Sequence, residues 1–248
     1  MYKLVLLDVD GTLVESNEHA MPSKRVVAAI QAASKKADVA IVTGRPYAFT
    51  KNVITALGVK GFGVFNGGAE IINLETGEQI FRQTMSIETA REAATIALVY
   101  GYKIFHTIGD NEVELSSPED ISEPSDKLLI ENVLPDEALN IIAALEAVEG
   151  TITHPVSAWQ KGVVTITIAH ELASKRHGAE RLIQMLGHSK DETIGIGDGH
   201  NDIPLFEAVG LGVAMGDAPD EVKQLADYVT TSLSEDGVAV ALEKFVLK

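Results

Sequence analysis

The sequence predicts an α/β fold, a doubly wound parallel sheet interrupted by a small inserted α+β domain. Three observations predict it. Short apolar runs alternate with helix-period segments near both ends of the chain, the rhythm of βαβ units. Between about residues 83 and 169 that rhythm gives way to hairpin signals mixed with helices. Several apolar runs also break at polar, glycine-containing turns, where strands of open parallel sheets present ligand-binding groups.

The elements follow in order. Leu4–Leu7 is a short core strand, closed by Asp8-Val9-Asp10-Gly11. Pro22 suits a first helical position, and Val26, Val27, Ile30 and Ala33 share one face. Val39–Val42 ends at Thr43-Gly44-Arg45. Pro46 opens a helix carrying Phe49, Val53 and Leu57, stopped by Gly58. Gly63–Phe65 ends at Asn66-Gly67-Gly68. Glu70–Asn73 and Gln79–Gln83 read as a hairpin around Glu75-Thr76-Gly77.

Ser86–Tyr100 is a helix. Tyr102–His106 and Glu112–Ser116 flank a second hairpin turn at Gly109-Asp110. Lys127–Asn132 is a strand, Pro135–Val148 a helix, and Thr151–His154 and Val163–Ile168 strands. From Ser174 the first rhythm returns: a helix to Leu186, a strand Thr193–Ile196 ending at Gly197-Asp198-Gly199, and a short helix ending near Gly210. A strand Leu211–Ala214, a helix Pro219–Ala226 and a strand Tyr228–Thr230 follow. Asp236 caps a last helix that buries Val238, Leu242, Phe245 and Val246. The division is therefore a Rossmann-like core from residues 1–82 and 170–248, with an α+β insertion at 83–169.

Composition narrows the function. With 248 residues and a 46% apolar fraction, the chain can bury a large core. It has no cysteine, which removes disulfides, thiol nucleophiles and zinc ribbons. The formal net charge is −16, from 36 acids against 20 bases, with no basic run, so nucleic acid and anionic membranes are not expected partners. No stretch approaches a membrane span of roughly 20 apolar residues, and the start lacks a secretory pattern. The expectation is a cytoplasmic protein, monomer or homodimer.

The polar strand ends carry the chemistry. Asp8 and Asp10 stand two positions apart, and close carboxylates repel unless a cation or proton separates them. The pair admits two readings: a hard-metal site with one Asp free to attack an electrophile, or plain turn chemistry. Thr43, Asn66, Asp198, Asn201 and Asp202 lie at further strand ends, and Lys175 opens a helix. Converged on one crevice, they suit phosphoryl transfer, which needs a cation, donors for phosphate oxygens and an acid for the leaving alkoxide. Asp8 would attack phosphorus and Asp10 would protonate the leaving oxygen and then activate water. Thr43 and Lys175 would hold phosphate, and Asp198 would bind Mg2+, with Asp202 behind it.

The order Asp8-Val-Asp-Gly-Thr-Leu13, Val42-Thr-Gly-Arg45, Ser174-Lys175 and Gly197-Asp-Gly-His-Asn-Asp202 resembles the haloacid dehalogenase (HAD) superfamily. The insertion resembles its type II cap. The Asn66-Gly-Gly turn, Gly212-Val-Ala-Met-Gly216 and Glu235-Asp-Gly-Val238 are similar to the Cof-type group, subclass IIB. The resemblance implies a phosphatase acting on a small phosphorylated metabolite through an aspartyl-phosphate. It implies Asp8 as nucleophile, Asp10 as acid and base, and Thr43, Gly44 and Lys175 on phosphate. It implies Mg2+ on the Asp8 carboxylate, the Asp10 carbonyl and the Asp198 carboxylate, with Asn201 and Asp202 behind. Asp217 stands where many relatives have Asn, which brings an extra acid near the site, and Leu205-Phe206 replaces an aliphatic–Met pair.

Other residues have a plain reading as well. Arg45 is a surface residue or a site residue, and Asn66 shapes its loop or joins the site. Asn201 caps the following helix or braces Asp198. His200 reads as a solvated loop residue, His106, His154 and Trp159 as packed or exposed without a role, and Gly109-Asp110 as a hairpin tip. Two rival functions use the same fold: a phosphosugar mutase with the same two Asp residues, and a non-catalytic metabolite-binding or regulatory module.

Overall fold

The structure is a computed structural model that describes residues 2–17, 19–158 and 160–248; Trp159 lies outside the described residues. In chain order the elements are β1 (Leu4–Leu7), α1 (Lys24–Ala33), β2 (Asp38–Ile41), α2 (Lys51–Leu57), β3 (Phe62–Phe65), β4 (Glu70–Asn73) and β5 (Gln79–Arg82). Then come α3 (Ile87–Leu98), β6 (Ile104–Ile108), β7 (Asn111–Glu114), β8 (Lys127–Val133), α4 (Pro135–Leu145), β9 (Thr151–Ser157) and β10 (Val164–His170). The chain closes with α5 (Lys175–Met185), β11 (Thr193–Gly197), α6 (Ile203–Ala208), β12 (Leu211–Ala214), α7 (Asp220–Leu225), β13 (Tyr228–Val229) and α8 (Gly237–Phe245).

The core sheet is parallel, in the order β13-β12-β11-β1-β2. A single parallel bridge, Val42 to Val64, leads from β2 to the antiparallel sheet β3-β4-β5. Strand β1 is central, with Leu4 opposite both Thr193 and Asp38, and Leu7 opposite Ile196 and Ile41. Its apolar run alternates between two helical layers. Val5 and Leu7 face α1, α2 and α8, while Leu4 and Leu6 face α5 and α6. A strand covered on both faces has no polar side, which explains the unbroken Leu-Val-Leu-Leu run. The chain leaves β1 for β2 on one side and returns as β11 on the other. The carboxyl ends of β1 and β11 therefore flank the switch point.

The residues between 83 and 169 build an antiparallel sheet, β7-β6-β8-β10-β9. One face buries Ile104, Leu128, Ile130, Ile166 and Ile168 against Ala90, Ala94, Ala97, Ile141 and Leu145 of α3 and α4. The alternating positions of β8, β9 and β10 point the other way, toward the carboxyl edge of the core sheet. Among the described residues no helix is long and apolar enough to cross a membrane.

Three local expectations need correction. Pro22 is not the first residue of α1: Ser23 precedes the helix and its hydroxyl accepts from Val26 N at 3.1 Å, taking the N-cap role. The segment after Pro46 starts as a 3₁₀ turn and becomes α2 only at Lys51, which leaves Phe49 exposed rather than packed. Asp236 does not cap α8 through its side chain. It sits at φ 60°, and its carboxylate accepts from Ser23 Oγ at 2.5 Å, joining the starts of α1 and α8.

Candidate active site

Asp8 leaves β1 with its N–H still bonded to Ile196 O at 3.0 Å, so its side chain stands level with the end of β11. Three residues on, Gly11 turns the chain at φ 76°. A Cβ at Gly11 would collide with the Asp198 carboxylate, so only glycine allows this loop to close on the end of β11. Thr12 then donates from Oγ1 to Asp198 Oδ1 at 3.1 Å.

Lys175 is the first residue of α5, after the N-cap Ser174. An ammonium at a helix N-terminus opposes the helix dipole, and this one is 2% exposed. Two carboxylates hold it there. Its Nζ donates to Asp8 Oδ1 at 2.5 Å and to Asp202 Oδ1 at 2.6 Å. The second Asp202 oxygen accepts from the N–H groups of Asp198 and Gly199 at 3.0 and 2.9 Å. Asp202 thus orients both the lysine and the Asp198 loop. Gly68, at φ 117°, packs against the backbone of Ser174, where a Cβ would not fit.

The electrostatics follow from burial. Desolvation and then Asp202 push the Asp8 carboxyl well above the usual range, against the pull of Lys175. Asp198 is pushed up to about 7, by burial first and Asp202 second. Burial pulls the Lys175 ammonium down, but Asp202 and Asp8 outweigh it and hold its pKa above the ordinary lysine range. Oxygens of Asp8, Asp198 and Asp202 lie within 4.8 Å of one another. Three acids facing one lysine leave negative charge uncompensated. An all-oxygen set of this kind, closed on one side by Gly11, fits a hard divalent ion such as Mg2+.

Asp10 points to a different partner. Both of its oxygens accept from Arg45, from Nε at 2.7 Å and Nη2 at 2.5 Å. Arg45 is 5% exposed and also bonds Asn17 O and Phe49 O, so the surface reading of Arg45 is corrected. Thr43 is buried, and its hydroxyl accepts from Arg45 N at 3.2 Å.

A cavity of about 520 Å³ lies over these groups. Asp8, Asp10, Gly44, Arg45, Lys175, Asp198 and Asn201 line it from the core. Lys127, Leu129, His154, Val156, Thr165 and Thr167 line it from the second sheet. Asp202 sits behind the lining. The Asn201 side chain makes no hydrogen bond among the described residues, so neither the capping nor the bracing expected of it is seen; Asp202 does the bracing. His200 is exposed at the cavity wall.

Asn66 does not line the cavity. Its amide donates to Glu70 Oε2 at 2.7 Å and to Gly109 O at 3.1 Å. Asp110 accepts from Ala48 N at 2.7 Å, so the hairpin tip seats the second sheet on the core. Asp217 also lies off the cavity, where it accepts from Leu233 N at 2.6 Å. His106, on β6 of the second sheet, is buried and is not among the cavity-lining residues.

Sequence reasoning passed over Lys127, Thr12 and the inward face of the second sheet. A signal was available. In β8 and β10 the residues that alternate with Leu128, Ile130, Ile166 and Ile168 are Lys127, Leu129, Thr165 and Thr167, a period-2 pattern with one face left for a ligand.

Comparisons with known proteins agree with this geometry. Residues 5–242 match the family model described as haloacid dehalogenase-like hydrolase. The chain is 30% identical over 247 residues to phosphoglycolate phosphatase 1 of Saccharolobus solfataricus, covering 99% of this chain and 96% of that one. It is 28% identical to a 5-amino-6-(5-phospho-D-ribitylamino)uracil phosphatase of Bacillus subtilis, covering 99% and 96%. Among solved structures, a haloacid dehalogenase-like hydrolase from B. subtilis superposes with a TM-score of 0.87 at 22% identity, covering 98% of this chain and 99% of that one. A subclass IIB sugar phosphatase superposes with a TM-score of 0.84, also at 22% identity, covering 99% and 100%. The chain belongs to the haloacid dehalogenase-like hydrolase family, in its Cof-type group, and is a phosphoric monoester hydrolase.

Proposed function

We propose that the protein is a Mg2+-dependent phosphatase that hydrolyses a small phosphate monoester, a sugar phosphate or related metabolite, through an aspartyl-phosphate. Residues 1–82 and 170–248 form the catalytic core in this reading, and 83–169 form the cap that contacts the leaving group. One observation carries it: Asp8, bonded to Lys175, stands with Asp198 in the lining of a cavity that Asp10 also lines.

An Asp8 oxygen attacks phosphorus, and the bond from phosphorus to the ester oxygen breaks. Asp10 gives its proton to the departing alkoxide. In the second half, Asp10 takes a proton from water as the water oxygen attacks phosphorus, and the bond to Asp8 breaks to release inorganic phosphate. Arg45 holds the Asp10 carboxylate in place between these steps. Lys175 orients Asp8 and offers a positive charge to the phosphoryl oxygens, with Thr43 and Gly44 beside it. Asp8, Asp198 and the Asp10 carbonyl would hold Mg2+, which would neutralise charge on the phosphoryl oxygens. The cap keeps bulk water from the first half-reaction.

The test is release of inorganic phosphate from a panel of small phosphate esters with magnesium, run beside Asp8→Asn. Turnover by the wild type and its near-complete loss in a variant with unchanged circular dichroism is the expected result. Full turnover in Asp8→Asn would refute the mechanism. Isomerisation of a hexose phosphate without phosphate release would replace the hydrolase by a mutase.

A further inference from the structure

The cap carries one buried cation that the phosphoryl chemistry does not use. Lys127 is 4% exposed and lines the cavity from β8. Its Nζ donates to Gly44 O at 2.8 Å, one residue from Thr43. Among the described residues it has no other hydrogen bond and no ion pair, so a buried ammonium faces one neutral acceptor. Neighbouring acids are engaged elsewhere. Asp126 takes two bonds from Arg82 and one from Gly109 N. Glu70 takes bonds from Asn66 and Gln79. Glu112 is a cross-strand neighbour through Thr107, but it is exposed and beyond ion-pair distance. Burying an unpaired charge costs several kcal/mol. Such a group is retained at low cost only if a ligand completes it.

The same face supplies further donors. Leu129 pairs with Thr167, and Thr167 with His154, so these two polar side chains stand beside Lys127 over the cavity. His154 lies under the influence of both Lys175 and Lys127. Burial first, and then those lysines, lower its pKa to about 4, so it stays neutral and offers one donor and one acceptor. Lys175 on the core and Lys127 on the cap thus bracket the space where a leaving group would sit. Glu112 and Glu131 line the cavity beyond Lys127 and disfavour a longer polyanionic tail.

We propose that Lys127 is a specificity-determining residue that receives a carboxylate on the leaving group, with Thr167 and His154 beside it, so that the preferred substrates are small phosphorylated hydroxy acids. The assignment rests on the phosphatase reading above and deepens it. Because Lys127 is tied to Gly44, the carboxylate must lie within a few bonds of the ester oxygen.

The test compares 2-phosphoglycolate with 2-hydroxyethyl phosphate, in which a hydroxymethyl group replaces the carboxylate. Wild type, Lys127→Met and Lys127→Arg are assayed for kcat/KM on both esters, and each is titrated calorimetrically with both in an Asp8→Asn background. The wild type should favour the carboxylate ester. Lys127→Met should lower the ratio of the two kcat/KM values by roughly 10- to 100-fold, the worth of a charge-assisted hydrogen bond, chiefly through KM. Lys127→Arg should restore most of it. A ratio that Lys127→Met leaves unchanged, or a wild type without preference, overturns the proposal and makes Lys127 only a tie between cap and core. Preferential binding of the carboxylate ester without phosphate release from either would defeat the phosphatase reading while supporting the Lys127 assignment.

Discussion

Replacing Lys175 by Met keeps an apolar stem in place and removes only the ammonium. In the wild type that ammonium bridges Asp8 at 2.5 Å and Asp202 at 2.6 Å, with all three side chains essentially buried. Asp202 retains two backbone N–H donors after the change, from Asp198 and Gly199. Asp8 loses the only hydrogen bond its carboxylate has among the described residues, so the cost falls mainly there. Breaking a buried pair by removing one partner costs roughly 3–5 kcal/mol, about 6–20 °C in Tm for a chain of this size. The cost has an upper bound, because Asp8 can take up a proton. Its pKa is already raised by burial and Asp202, and loss of Lys175 raises it further. The destabilisation should therefore shrink as pH falls from 8 toward 5, because protonation relieves the orphaned carboxylate. Urea unfolding in the presence of chelator, followed by far-UV circular dichroism at both pH values, measures it. A variant within about 1 kcal/mol of wild type at pH 8, well under the buried-pair range, would show that the lysine is solvated and its ion pairs are weak. A loss that does not shrink at pH 5 would refute the assignment of the cost to Asp8.

Three further outcomes follow from the geometry. Gly68→Ala should cost roughly 2–4 kcal/mol, because a Cβ at φ 117° meets the Ser174 backbone, whereas Gly67→Ala, at φ 72° in open space, should cost only about 1 kcal/mol; equal urea midpoints for the two would refute this. The raised Asp198 binds a proton in the metal-free fold that it releases on unfolding, so metal-free stability should fall as pH rises through about 4 to 7, by on the order of 2–4 kcal/mol. Added Mg2+ needs the ionised carboxylates, so its gain in Tm should grow over the same interval, and scanning calorimetry with and without magnesium would detect a flat response. His154, lowered to about 4, should show no imidazole titration by NMR between pH 8 and 5, and its contribution to stability should be lost only as pH falls from about 6.5 toward 4; a midpoint near 6.5 would place the ring in water.

The local elements were legible because each rests on short-range physics. Leu4–Leu7 is apolar throughout since helices cover both faces of β1, and Gly58 ends α2 since it accepts φ 70°. Errors fell where a side chain had a distant partner. Asp236 reads as a cap until Ser23 claims its carboxylate, and Arg45 reads as exposed until Asp10, 35 positions away, takes its guanidinium. Lys127 was hidden for the same reason. A lysine at a strand edge is usually solvated, and only the seating of the second sheet on the core buries it against Gly44.

The amino-acid order alone determined which residues end the core strands, and so which acids, threonine and lysine were available for phosphoryl chemistry, because burial periodicity and turn chemistry act over a few residues. Tertiary structure decided their pairing: Lys175 with Asp8 and Asp202, Asp10 with Arg45, and Lys127 over the cavity. Those contacts span from 27 to 167 positions; strand order and register set them rather than local pattern, and side-chain charges find partners only once the sheet has set which ends meet.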